Sequence, residues 1–318
     1  KKPERQTSVR SSGFFQPFLP YKGVFFMKIS DTKKLAAITA AFFITVTAFS
    51  GCSESANSSQ TTSSVSQAAK SDIDASIAAE DIDVGYDEES SVGITFSDGS
   101  AAIDGEGATS EGETVTISQA GTYILSGTAT NGKIIVSADK TAEIKLIFNG
   151  VDITCADNAP LLVSKAKKVY IVLEDGTENV LTDSASYSLG EDDSNTDGAI
   201  FSKADLTING SGTLTVNANY KHGIVSKDDL VITDGNINVT SASTAMEGKD
   251  SIKISGGTFN ISAGTNGIKS TNTEASDKGF ISVTGGTFTV VANNDAFEAE
   301  TVLSIQCGSF DITTGGGS

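Results

Sequence analysis

From Ser202 onward, short apolar–polar alternations recur in pairs. The pairs are Leu206-Thr-Ile208 with Leu214-Thr-Val216, Leu230-Val-Ile232 with Ile237-Asn-Val239, Ile252-Lys-Ile254 with Phe259-Asn-Ile261, Ile281-Ser-Val283 with Phe288-Thr-Val290, and Leu303-Ser-Ile305 with Phe310-Asp-Ile312. The leading positions Leu206, Leu230, Ile252, Ile281 and Leu303 are separated by 24, 22, 29 and 22 residues. A period of two belongs to a strand whose side chains alternate between faces. A unit of this length cannot bury its own apolar row, but stacked units turn each row into a continuous ladder. Gly256-Gly257 and Gly285-Gly286 fall between the two strands of a unit, where a tight corner needs positive φ. The absence of a helical period excludes leucine-rich and helical repeats, and a propeller blade needs four strands and about 40 residues. The pattern predicts an all-β chain folded as a single-stranded parallel β-helix.

Before the regular units, β character begins at Val92 with Ile94-Thr-Phe96, Thr114-Val-Thr-Ile117, Thr122-Tyr-Ile-Leu125 and Ile134-Ile-Val136. Glu143-Ile-Lys-Leu146 and Val169-Tyr-Ile-Val-Leu173 are expected to be irregular early coils in register with the later column. Residues 92–130 are expected to cap the N-terminal end, because an open end presents unpaired strand edges. The whole of 91–318 is then one domain. The chain stops at Gly315-Gly-Gly-Ser318, directly after a regular unit, so further coils are expected beyond it.

The N-terminal part reads differently. Met27, Lys28, Lys33 and Lys34 precede the apolar run Leu35–Phe49, which has the layout of a secretory signal over 27–51 and is too short for a spanning helix. Residues 1–26 are read as an over-extended gene start. Phe49-Ser-Gly-Cys52 resembles a bacterial lipobox, which makes Cys52 the lipidated mature N-terminus. Residues 52–90 are expected to form a flexible acidic linker: a tether of Ser, Thr, Gln, Ala and Asn over 53–72, then a loose acidic lead-in over 73–90.

Composition narrows the chemistry. The net charge is −18, from 40 acidic and 22 basic residues, which argues against nucleic acid or an anionic membrane surface as a direct partner and suits bound cations. Cys155 and Cys307 lie roughly six coils apart, or roughly 29 Å at the strand spacing of about 4.8 Å, beyond disulfide reach. With three cysteines and one histidine, a Cys/His zinc site or a triad needing its own histidine base is not expected. The absence of Trp and the scarcity of Tyr speak against an aromatic platform for crystalline cellulose.

The run Gly198-Ala-Ile-Phe-Ser-Lys-Ala-Asp-Leu206, continuing to Val216, resembles bacterial surface proteins of the carbohydrate-binding-domain-containing family. So do Asn219-Tyr-Lys-His222, Gly267-Ile-Lys-Ser270 and Phe310-Asp-Ile-Thr-Thr-Gly-Gly-Gly-Ser318. The resemblance spans about 92–318. It implies a right-handed parallel β-helix that holds calcium and binds plant cell-wall polysaccharide, including acidic, pectin-like chains, with a fold related to that of β-helical pectate lyases. The family usually opens each coil with Asp-Gly-Ile. Here that corner reads Asp197-Gly, His222-Gly, Thr244-Ala, Asn266-Gly and Asp295-Ala, so three of five positions lack the carboxylate.

Two constellations could carry chemistry. Asp193-x-Asn195-x-Asp197-Gly198 matches the first half of a calcium loop, although Ala204 stands where the bidentate Glu would fall. A solvated acidic insertion is the plainer alternative. The second cluster is Asn293-Asn294-Asp295 with Glu298 and Glu300. Counting from the corner places Phe201, Val225, Glu247, Lys269 and Glu298 in one column, about 5 Å apart. Glu247–Lys269–Glu298 is first of all a structural charge ladder. The sharper alternative is lyase-like: calcium on Asp295 and Glu298 bridges an acidic sugar while Lys269 removes a proton. Two flanking carboxylates hold a lysine in its ammonium form, and an ammonium is a poor base. The outward rows Thr207, Val231, Lys253, Ser282, Ser304 and Asn209, Thr233, Ser255, Thr284, Gln306 are expected to form an open polar wall.

The resulting expectation is non-catalytic, calcium-assisted polysaccharide binding by an extracellular, lipid-anchored monomer. Metal ligands are expected among Asp193, Asn195, Asp197, Asn294, Asp295 and Glu298, with Glu247, Lys269 and Glu300 at the ligand. A polysaccharide lyase using Lys269, and a structural adhesin or spacer, remain as alternatives.

Overall fold

The computed structural model describes residues 73–97, 99–190 and 195–315. The signal segment, the tether, Cys52 and Asp193 lie outside the described residues. The body is all-β and β-helix-like, with two open sheets whose strands are mostly parallel.

Three columns of strands account for it. The first column comprises Lys168–Leu173, Asp205–Gly210, Asp229–Ile232, Ser251–Ile254, Phe280–Val283 and Leu303–Ile305. The second comprises Glu178–Thr182, Thr213–Ala218, Asn236–Ser241, Thr258–Ala263, Thr287–Ala292 and Ser309–Thr314. Glu143–Thr154 serves both: its first half pairs with Lys168–Leu173 and its second half with Glu178–Thr182, and Gly121–Ala129 precedes it against both halves. The two columns are therefore one continuous sheet, bent at Gly150, whose φ is +78°. The third column forms the second sheet, through Lys133–Ser137, Leu161–Lys165, Gly198–Ser202, His222–Ser226, Met246–Gly248, Ile268–Ser270 and Phe297–Ala299.

The registers follow from the alternation. Leu206 pairs with Leu230, Leu230 with Ile252, Ile252 with Ile281 and Ile281 with Leu303, as the spacing predicts. The first four are fully buried, while Leu303 on the last rung is only partly covered. In the second column, Leu214, Ile237, Phe259, Phe288 and Phe310 form one inward row. Its rings stack 4.6 Å (Phe259–Phe288) and 4.9 Å (Phe288–Phe310) apart, near parallel. A one-residue slip would turn every such row outward, so burial of both columns fixes the register.

The corner glycines divide their labour. Gly286 has φ +107°, whereas a Cβ on Gly285 would stand 2.2 Å from the Ser255 carbonyl oxygen. One gives the turn; the other lets successive rungs touch. At the N-terminal end, Val92–Ser97 pairs antiparallel with Ser100–Asp104, and Ala108–Glu111 with Thr114–Ile117. Val92–Ser97 also pairs parallel with Gly121–Ala129, and Thr114–Ile117 with Lys133–Ser137, so the stack begins inside the segment expected to be a cap. Cys155 and Cys307 are free thiols.

Residues 73–90 correct the expectation of a loose lead-in. They form a strap with one helical turn at Ala79–Ile82, laid across the outer side of the first column. Asp81 is ion-paired to Lys168 at 2.5 Å and accepts a 2.5 Å bond from the Thr207 hydroxyl. Asn209 donates to the carbonyls of Asp81 and Asp83. Composition registered the acidity of this segment, but not the donors waiting for it on strands more than 80 residues away.

Candidate functional site

The strap settles which wall is open. The outward rows of the first column, expected to be exposed, are covered in their middle: Thr207, Asn209, Val231 and Ser282 are all buried. The outward rows of the second column are exposed or half-buried instead. Three run in register: Thr213, Asn236, Thr258, Thr287, Ser309; then Thr215, Asn238, Asn260, Thr289, Asp311; then Asn217, Thr240, Ser262, Val291, Thr313. These side chains point outward because their neighbours Leu214, Val216, Ile237, Val239, Phe259 and Ile261 point inward.

Amides and hydroxyls on this wall bond to each other along the stack. Asn260 Nδ2 donates to Asn238 Oδ1 at 2.9 Å, Asn238 Nδ2 to Thr215 Oγ1 at 3.5 Å, and Asn236 Nδ2 to Thr213 Oγ1 at 3.4 Å. Each such bond leaves lone pairs and protons free for solvent or a ligand. Thr215, Asn238, Thr240, Asn260, Ser262 and Thr289 line a shallow depression of about 250 Å³. The rows repeat every rung, about 4.8 Å apart. A surface of this kind offers regularly spaced donors and acceptors to an extended, hydroxyl-rich polymer.

Residues 111–318 match the carbohydrate-binding domain-containing protein family. The chain belongs to that family. A carbohydrate-binding domain-containing protein of Acetivibrio thermocellus is 45% identical over 126 residues, 39% of this chain and 44% of the relative. The chain thus covers less than half the length of the curated relative it matches. The structure is similar to that of the polysaccharide lyase-like protein from C. thermocellum, solved as a gadolinium derivative. The TM-score is 0.66 at 35% identity, covering 69% of this chain and 100% of that one.

In this member of the carbohydrate-binding domain-containing family, the charged column lies as the spacing predicts. Phe201, Val225, Glu247, Lys269 and Glu298 pair rung to rung. Lys269 stands 3.1 Å from Glu298, and Lys227 bridges Glu247 at 3.3 Å and Asp197 at 3.4 Å. Asp197, Lys227, Glu247, Lys269 and Glu298 thereby form a ladder of alternating sign. Lys227 is the member that sequence reasoning missed; it leaves the strand just after the counted column, and its reach back is not periodic.

The corner positions also stack. The His222 amide donates to the Asp197 carbonyl, Gly223 to Thr244, Ala245 to Asn266, and Gly267 to Asp295. His222 Nδ1 accepts from the Thr244 amide, and its Nε2 is 4.0 Å from Asp197. Asn266 donates to Glu298. Burial, reinforced by the charge of Glu298, pushes the Asp295 carboxyl up. Asn294 and Glu300 are exposed. Among the described residues no three His, Cys, Asp or Glu side chains gather as a metal cage. Asp295 and Glu298 come together, while Asp197 and Asn195 sit at a different rung. The fit to a hard cation is best beside Asp197: Thr196 Oγ1 is buried there with no hydrogen-bond partner among the described residues, and Asp197 Oδ1 has only the Lys227 ion pair. Oxygen donors of this type suit calcium, and Lys227 competes for them.

A further acidic corner was not singled out from sequence. Asp205 and Asp229 are neighbours in the first column, and Asp228 and Asp250 lie beside them. Burial, then the hydrogen bond with Asp250 and the charge of Asp205, pushes Asp228 up to about 7. Burial opposes the charge on Asp250, yet bonds from Lys278 and Asn272 hold its carboxyl below the usual range. These bonds clamp the 271–279 insertion that produces the 29-residue spacing.

Proposed function

We propose that this chain binds polysaccharide without cleaving it, as a right-handed, single-stranded parallel β-helix held at the bacterial cell surface by a lipid on Cys52. The observation that carries the reading is the open second-column wall, where small polar side chains, mostly Thr and Asn, stand in register from rung to rung. Family membership supports carbohydrate as its partner. Plant cell-wall polymers, either acidic and pectin-like or cellulosic, are the glycans in view. Calcium assists by occupying the oxygen donors around Thr196 and Asp197, with Asp193 and Asn195 completing the loop, and a second ion would sit at Asp295, Glu298 and Asn294. Glu247, Lys269 and Glu300 border the glycan. The protein acts as a monomer, does not bind nucleic acid, and meets the membrane only through its anchor.

The likeness to a polysaccharide lyase-like protein favours a second reading, a calcium-dependent pectate lyase. Lys269 is the one base that reading offers, and its pairing with Glu298 beside Glu247 weighs against it. An adhesin or spacer without sugar specificity is the third. Pull-down on pectin, cellulose and xylan, each with and without calcium, separates the three. Retention without release of unsaturated oligosaccharides is expected. Retention on none of them, or release that Lys269→Ala abolishes, overturns the proposal.

A further inference from the structure

The strap docks in an unusual way. Asp81 is the only buried residue of 73–90, and Ile82 and Val84 point their aliphatic side chains into solvent, 59% and 47% exposed. Ile73, Ile77 and Tyr86 are half-buried and no apolar residue of the strap is fully buried, so apolar burial is only a minor part of what holds it down. Six wall side chains donate to it, and one bond runs the other way, from the Tyr86 hydroxyl to Glu174 Oε2 at 3.1 Å. Lys145 Nζ bonds Asp83 Oδ2 at 3.1 Å and the Gly85 carbonyl at 2.6 Å. Lys168 and Thr207 hold the Asp81 carboxylate; Asn209 and Thr233 hold the Asp81 carbonyl; Lys253 Nζ bonds the Ser76 carbonyl at 3.2 Å. To the six wall donors the strap supplies carboxylates and carbonyls alone.

The donors are spaced along the stack. Lys145, Tyr170, Thr207, Val231 and Lys253 form one register row, so Lys145 and Lys253 are four rungs, roughly 19 Å, apart. The match between wall and strap is incomplete. Asn209 Oδ1 and Ser282 Oγ are buried without a hydrogen-bond partner among the described residues, although both side chains are at most 2% exposed. Buried polar atoms are normally satisfied, so the strap does not use everything this wall offers.

We propose that the first-column wall is a second polysaccharide-binding surface, selective for a linear chain bearing carboxylates, and that residues 73–90 occupy it until such a chain displaces them. The carboxylate seat is Lys168 with Thr207, flanked by Lys145 and Lys253. This rests on the polysaccharide-binding reading but concerns a different face from the open Thr/Asn wall.

Hydrogen–deuterium exchange on the full chain tests it, with polygalacturonate as the probe and its methyl-esterified form as the uncharged control. Saturating polygalacturonate should speed exchange across 73–90; the ester should not. Asp81→Asn should tighten polygalacturonate binding about tenfold by weakening the competing strap, and adding Lys168→Met should cancel the gain. Polygalacturonate binding that leaves strap exchange unchanged overturns the inference and spares the open wall. An equal response to the ester also overturns it. If neither wild type nor Asp81→Asn binds any glycan, both readings fall.

Discussion

Asn179 offers the most demanding test of how the open wall is built. It occupies the inward position that heads the row Leu214, Ile237, Phe259, Phe288 and Phe310, and it is fully buried. Its Oδ1 accepts from the amides of Gly150 at 2.9 Å and Val151 at 3.0 Å; its Nδ2 donates to Thr177 Oγ1 at 3.0 Å and the Thr213 carbonyl at 3.1 Å. All four bonding positions of the amide are thus used. They tie the bend of Glu143–Thr154 to the first strand of the wall. Asn179→Leu keeps the branched shape and prolongs the apolar row, so burial alone predicts no loss. The hydrogen bonds predict otherwise. The Val151 amide is buried and would be orphaned at about 1–3 kcal/mol, while the Gly150 amide is partly exposed and recovers water. Adding the lost Thr213 contact gives a net cost of about 2–4 kcal/mol. Urea unfolding followed by circular dichroism should show a lower midpoint, with faster exchange of the Val151 amide. A midpoint at or above wild type would refute the idea that this amide holds the corner.

Other outcomes follow from the same contacts. Phe288→Ala removes the middle ring of the stack and should cost about 3–5 kcal/mol, read as a lower melting temperature; a loss under about 1 kcal/mol would mean the ladder tolerates a gap. For Asp228, whose folded value of about 7 lies above its unfolded one, the folded state holds the proton more tightly. That contribution is complete at acid pH and disappears as pH rises through about 7, so Asp228→Asn should flatten the decline in melting temperature between about pH 5 and about pH 8.5. Equal slopes in both proteins would contradict the assignment. Calorimetric titration with calcium should give heat that Asp197→Ala abolishes; identical heats would remove the metal from this corner.

The apolar columns were legible because a period of two, repeated at near-constant spacing, leaves one register that buries every row. The pairing of Lys269 with Glu247 and Glu298 follows from that register and was equally legible. The accessibility of the walls was not. Thr207 and Asn209 look in sequence like Thr215 and Asn238, since all are polar residues at outward positions. The difference lies in Asp81, which arrives from more than 120 residues away and carries no periodic signal. Asn179 breaks the inward pattern and would be discounted by any apolar template, although it is the best-bonded side chain in its row. The stacked Tyr187–Tyr220 pair, 4.3 Å apart, was invisible for the same reason: its members come from two loops with no shared period.

The most direct test of the account is affinity electrophoresis of wild type and an Asn238→Ala/Asn260→Ala variant through gels containing methyl-esterified pectin, xylan or a neutral soluble cellulose derivative, none of which offers the carboxylates that the first-column wall selects. Both residues are on the solvent side of the second column, so the fold should survive. The account predicts that at least one glycan retards wild type and that the variant migrates as in a blank gel, roughly tenfold weaker or more. Equal retardation of the two proteins would contradict it.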